Sequence, residues 1–302
     1  MIRRSIFVLP AFVLFALASG PSLQAGEARW WKGDVEEALA QSKDNRKELE
    51  KALREAPKEQ RPGIAFLIAN MPAGDLTTLK AAFLLENTRL AYEARSKMPW
   101  GKSVREELFL NDVLPYANVT EKREPWRREM MERCLPLVKD CKNIAEAAQA
   151  INAGLFSKLK VRYSTARKRP DQSPSETISS GIASCTGLSI LLVDGCRSVS
   201  IPARLAGTPK WAAKDGNHTW VEIWDGGWHF TGACEHDPKG LDRAWFTGDA
   251  ARAKKDSVQS AIYAASFKRT GTPFPLVWAP GYRDSFAENV TDRYTGEKTK
   301  KP

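Results

Sequence analysis

An α+β fold is predicted for this chain from three observations. Helix-spaced apolar residues fill positions 30 to about 110, a buried apolar helix opens near Cys185, and a β-branched and aromatic run, HTWVEIW, turns back through Asp225-Gly226-Gly227. Together they place a helical N-terminal region ahead of a long helix packed on an antiparallel sheet, followed by a β-containing tail.

The first residues read as an address. Arg3 and Arg4 form a positive n-region, residues 6–18 an apolar h-region, and Pro21 breaks the run before Ala25. This is a signal-peptide pattern over residues 1–25, so the chain is expected to be exported, either periplasmic or secreted. The apolar run is too short to span a bilayer comfortably and no later stretch is apolar enough, so no transmembrane anchor is expected. Removing residues 1–25 leaves 277 of 302 residues and takes away two arginines and no acids, so the net charge falls from +10 to +8. The remaining chain divides into a helical region (26–128), a core (129–246) and a C-terminal extension (247–302).

Within the helical region Leu76, Leu79, Phe83, Leu84, Leu90 and Tyr92 recur at helical spacing, and Met98-Pro99-Trp100-Gly101 closes that run. Residues 115–128 read as a polar connection, followed by a short helix containing Cys134. An amphipathic helix is expected over 143–156, ending near Gly154, and a short strand over 161–163. Ser173-Pro174-Ser175-Glu176 has capping-box spacing, with Pro174 first in its helix and Gly181 ending it. The apolar run from Cys185 reaches Arg197, and Pro202 begins the exit to a strand at 203–206. Beyond the hairpin, strands are expected at 261–267 and 275–278.

The basic balance favours anionic partners such as wall polymers, acidic proteins or membrane surfaces. The basic residues are scattered, as on a solvated surface, and no zinc-finger, helix-turn-helix or RNA-binding signature is present, so nucleic acid is not expected. No cofactor is expected either. The five cysteines are Cys134, Cys141, Cys185, Cys196 and Cys234. In an exported protein an odd count leaves at least one thiol free or paired between chains. Two disulfides plus one reactive thiol fit that count, fewer are equally allowed, and Cys134 and Cys141 are close enough in sequence to be bridged.

A thiol nucleophile needs its thiolate populated, and a helix N-terminus favours negative charge through its unpaired N–H groups. Cys185 stands where the helix begins, after Gly181, Ala183 and Ser184. A small buried hydrophobe is the ordinary alternative for a cysteine. Of three histidines, His218, His229 and His236, the first opens the hairpin strand on the face of Trp220, Glu222 and Trp224. A three-residue turn at 225–227 sets His218 opposite Cys234. Two-residue turns set it opposite Glu235 or Ala233. A carboxylate near position 235 is thereby placed to hold the imidazole.

The order SCTGLSILLVDGCRSVSIPARLAG followed by GNHTWVEIWDGGWHFTGACE resembles the core of transglutaminase-like proteins, over roughly residues 170–245. The resemblance implies a papain-like α+β core and a Cys-His-acid triad, with Cys185 as nucleophile and His218 as base. In that family the acid usually falls four residues after the tryptophan opening the second hairpin strand, where this chain has Gly232. Glu235 is the expected third member and Asp237 the runner-up. The activity implied is attack on an amide of a peptide or protein through a thioester, resolved by water (peptidase or amidase) or by an amine (acyl transfer). Two other classes compete. One is a non-catalytic binding module on the same fold, and the other a metal site using His218, Cys234 and His236, with Cys185 as a fourth ligand. Gln172 lies too far before Cys185 for an oxyanion-hole glutamine and reads as a turn residue. Trp211, Trp220 and Trp245 are candidates for a substrate groove or for ordinary packing.

Overall fold

The computed structural model describes residues 29–296, so the signal-peptide pattern lies outside the described residues. Residues 31–296 lie in one compact unit. Its N-terminal part is a set of helices: α1 (Asp34–Gln41), α2 (Arg46–Glu55), α3 (Arg61–Asn70), α4 (Ala73–Thr78), α5 (Ala81–Lys97) and α6 (Glu106–Asp112). Two more, α7 (Arg127–Val138) and α8 (Ile144–Leu159), follow and pack on each other. No helix among the described residues is long and apolar enough to cross a membrane.

The helix expected to end near Gly154 runs on to Leu159, where Lys160 takes a left-handed conformation at φ 55°. Gly154 is there for packing: a Cβ would stand 2.6 Å from Leu137 Cδ2 of α7. A glycine inside an amphipathic run looks like a stop in sequence and here is a close-approach site.

Strand β1 (Arg162–Tyr163) pairs in parallel with β2 (Ile182–Ala183), flanking α9 (Pro174–Ser180). Helix α9 carries the expected capping box of Ser173 and Glu176, and Gly181 ends it at φ 68°. Helix α10 (Cys185–Ser198) then begins immediately, and every residue from Thr186 to Ser198 is buried. It packs on the five-stranded sheet, whose order is β5-β4-β3-β6-β7. The strands are β3 (Ala203–Thr208), β4 (His218–Trp224), β5 (Trp228–Thr231), β6 (Tyr263–Ser266) and β7 (Phe286–Asn289), and all four pairings are antiparallel. Two short helices, α11 (Thr247–Ala250) and α12 (Thr291–Thr295), lie in the C-terminal part.

The strand expected at 275–278 is absent, and the fifth strand is β7 instead. Pro275 removes a backbone donor at the start of that stretch, whereas Phe286–Asn289 has little strand character and is recruited by pairing with β6.

Buried arginines tie the helical region to the far end of α10. Arg197 donates from Nε to the carbonyls of Asp112 and Ala203 and from Nη1 to that of Ala117. Arg127 donates to the carbonyls of Arg197, Val113, Leu114 and Pro115. Such buried cations are tolerated because several of their N–H groups meet fixed carbonyl dipoles. The second face of the sheet is covered by a separate core containing Trp211, Trp220, Phe246, Ile262 and Ala264.

Candidate active site

Cys185 is the first residue of α10. Ser184 caps the helix, its side chain accepting from Gly187 N, and donates from Oγ to the Pro170 carbonyl. The segment before the cysteine is thus fixed at both sides. Gln172 braces it further: it is buried, and its Nε2 donates to Ser180 Oγ at 3.1 Å and the Ile182 carbonyl at 3.2 Å. Gln172 is therefore a scaffold for the approach to Cys185 rather than a simple turn residue.

His218 opens β4. The residues following the two candidates meet directly: Thr186 Oγ1 and Thr219 Oγ1 are 3.0 Å apart. One turn further along α10, Ser189 Oγ donates to the Thr219 carbonyl at 3.2 Å. These bonds lock the start of the helix to the start of the strand, so Cys185 and His218 each stand one residue before the junction. Side chains alternate across a strand, so Thr219 faces α10 and His218 faces the opposite side with Trp220 and Glu222. No hydrogen bond joins the Cys185 thiol to His218 among the described residues.

The imidazole sits among aromatic rings. Its centroid is 4.9 Å from those of Trp245 and Phe246, 5.9 Å from Trp220 and 6.0 Å from Trp211. His218 is 8% exposed, and its Nε2 is buried with no hydrogen-bond partner. Burial, with a smaller contribution from the Lys214 ammonium, lowers its pKa from 6.5 to about 4. No carboxylate acts on it, so the ring is neutral at pH 7.

Glu235 does not bond His218. Its Oε2 accepts from Trp245 Nε1 at 2.8 Å, and burial raises its pKa against that hydrogen bond. The hairpin has the three-residue turn, with Trp224 opposite Trp228, but its ladder ends at Val221 opposite Thr231. Extrapolating the register to His218 therefore fails. The chain turns away at Gly232, Cys234 adopts φ 65°, and the buried Asn152 of α8 clamps the turn. Asn152 Nδ2 donates to Thr231 Oγ1 (3.0 Å) and the Gly232 carbonyl (2.8 Å), while Oδ1 accepts from Cys234 N (2.9 Å). Asp237 is engaged elsewhere, accepting from Lys239 N at 2.8 Å and Arg243 Nε at 3.1 Å, which lower its pKa.

Nor are the residues of the alternative metal grouping brought together, since no three His, Cys, Asp or Glu side chains converge as ligands among the described residues. The Cys234 thiol points to the Val161 carbonyl at 3.8 Å. All five cysteines are free, so none of the pairings that the count allowed is formed. Burial pushes Cys134 up to about 12 and raises Cys196, Cys234 and Cys141 as well, which makes those four thiols poor nucleophiles near neutral pH. Trp211 and Trp220 are core residues, whereas Trp245 is 57% exposed and covers His218. The Thr186–Thr219 pair and Asn152 carried no recognisable signal, since hydroxyl and amide partners are decided by packing.

These elements define an α+β protein in which the residue after a helix-start cysteine is hydrogen-bonded to the residue after a strand-start histidine. Residues 133–233 match the family model of the transglutaminase-like superfamily. The matched segment contains Cys185 and His218 and stops before Glu235. No curated protein sequence matches the chain. Two solved structures are similar to parts of it. One is described as "a putative cysteine protease" from Cytophaga hutchinsonii, with 23% identity over 38% of this chain and 40% of that one, at a TM-score of 0.31. The other is described as "a putative protease" from Parabacteroides distasonis, with 11% identity over 63% of this chain and 32% of that one, at a TM-score of 0.32. The chain thus spans well under half the length of either. The family match supports a thiol-dependent enzyme in general terms.

Proposed function

We propose that the protein is an exported thiol enzyme that acts on amide bonds of peptides or proteins, with Cys185 as nucleophile and His218 as general base. The reading is carried by the hydroxyl bond between Thr186 and Thr219, which fixes the start of α10 against the start of β4. Export is supported by the pattern of residues 1–25.

In this reading Cys185 Sγ attacks the amide carbon while its proton passes to the imidazole. The carbonyl π electrons move to oxygen, beside N–H groups at the start of α10. The intermediate collapses with cleavage of the C–N bond, and the amine leaves with the proton from His218, giving a thioester. Water or a second amine then attacks the thioester, His218 takes its proton, and the thiol is restored. A neutral imidazole is the form that accepts a proton, as a general base must. Glu235 takes part through Trp245, which it holds over the ring, unless that bond opens during turnover.

The test is covalent labelling by a peptide electrophile at neutral pH, read by mass spectrometry. The reading expects one adduct at Cys185, absent in Cys185→Ala and strongly slowed in His218→Ala. Equal labelling of several cysteines, unaffected by His218→Ala, would leave Cys185 an ordinary thiol and favour a binding module.

A further inference from the structure

A groove beside His218 is bounded by a loop that the reaction scheme does not use. Asn217, His218 and Thr208 line one small cleft together with Pro209, Phe274, Pro275, Val277 and Trp278. Pro209, Phe274, Pro275 and Val277 also line a larger neighbouring groove of about 400 Å³, which continues past Val258 to Arg283. The two share one wall, so the larger groove lies next to the narrow cleft at His218.

The same loop reaches the nucleophile's side. Trp278 Nε1 donates to Thr120 Oγ1 at 3.1 Å, and Thr120 Oγ1 donates to Asp171 Oδ2 at 2.6 Å. The neighbouring Pro170 carbonyl accepts from Ser184, the residue before Cys185. The loop therefore spans from the histidine strand to the segment that positions the cysteine. The loop thus offers a wall along which an extended substrate reaching both segments could lie.

The lining is chiefly apolar, and two of its side chains are unusually open: Val258 is 73% exposed and Val277 44%. The Arg283 guanidinium at the far end is turned onto backbone carbonyls, Nη1 donating to Pro280 O at 2.7 Å. Prolines keep the wall preset, which lowers the ordering cost of binding. A few hundred cubic ångströms with this lining suits one large aliphatic or aromatic side chain.

We infer that this groove is a specificity subsite that receives a bulky apolar side chain of an extended peptide substrate, close to the amide that Cys185 attacks. The inference rests on the proposed Cys185–His218 reaction, and its test separates the two. Peptide vinyl sulfones that differ at one position (Phe, Leu, Gly or Asp) are compared for their rates of adduct formation at Cys185. The Phe and Leu probes should react at least about tenfold faster than the Gly and Asp probes, and Val277→Asp should shrink that ratio to near unity. In parallel, a fluorescent peptide amide carrying Phe is titrated into Cys185→Ala and into Cys185→Ala/Val277→Asp, read by anisotropy. The second variant should bind at least about tenfold more weakly. Binding that is lost with Val277→Asp, but with no labelling at Cys185, would keep the subsite and overturn the catalytic reading. Labelling with no side-chain preference, or peptide binding insensitive to Val277→Asp, would overturn the subsite.

Discussion

Lowering the pH from 7.5 to 4.5 acts on His218 differently in the folded and unfolded chain. The unfolded imidazole takes a proton below 6.5, whereas the folded one, buried among aromatic rings and near Lys214, resists protonation down to about 4. A depressed folded pKa means stability that is complete above 6.5 and is lost as pH falls towards 4, because the unfolded state binds more protons throughout that window. Full separation of about 2.5 units corresponds to about 3.4 kcal/mol, and stopping at pH 4.5 realises about 2.5 kcal/mol of it. The assay is urea unfolding of wild type and His218→Gln at both pH values. Carboxylates titrate in both proteins, so the difference between the two losses isolates the imidazole. His218→Gln should lose about 2.5 kcal/mol less than wild type on acidification. Equal losses, or an NMR titration of the folded imidazole with its midpoint near 6.5, would refute the burial argument and with it the neutral resting base.

The same depressed pKa predicts that the acid limb of Cys185 labelling by peptide electrophiles falls near pH 4; a limb near 6.5 in the rate profile would contradict it. Glu235→Gln keeps an acceptor for Trp245 Nε1, so turnover should change by less than about tenfold, and a loss of two or more orders would show that Glu235 reaches His218 during reaction. Asn152→Ala removes three hydrogen bonds from the turn after β5 and should cost about 2 kcal/mol by chemical denaturation, with faster proteolysis near Cys234. Glu222 is fully buried and bonds Arg204 (2.9 Å), Tyr294 (2.9 Å) and Arg293. Glu222→Gln should therefore destabilise by about 3 kcal/mol, because the buried Arg204 and the neighbouring Arg293 lose a fully buried counter-charge and Arg204 keeps only the half-exposed Glu288, and a change under about 1 kcal/mol would show that the network is not a structural tie.

Local chemistry was written in the chain wherever a short-range rule governs it. The capping box of Ser173 and Glu176, the start of α10 at Cys185 and the Asp225-Gly226-Gly227 turn depend on residues a few positions apart, and each formed as read. The family match over residues 133–233 overlaps much of that text. Tertiary contacts decided the rest. The fifth strand is Phe286–Asn289 because β6 offers an edge to pair with, while a more strand-like stretch was excluded by its proline. Gly154 stands inside α8 at a close approach to Leu137 of α7, a distance with no trace in either segment. Hairpin register predicts neighbours only while the ladder continues, and here Asn152, from a helix some 80 residues earlier, ends it and turns Glu235 towards Trp245. A candidate nucleophile and a candidate base could therefore be named from sequence, but what surrounds the candidate base could not, since burial, aromatic packing and the partner of each carboxylate are properties of residues brought together only by folding.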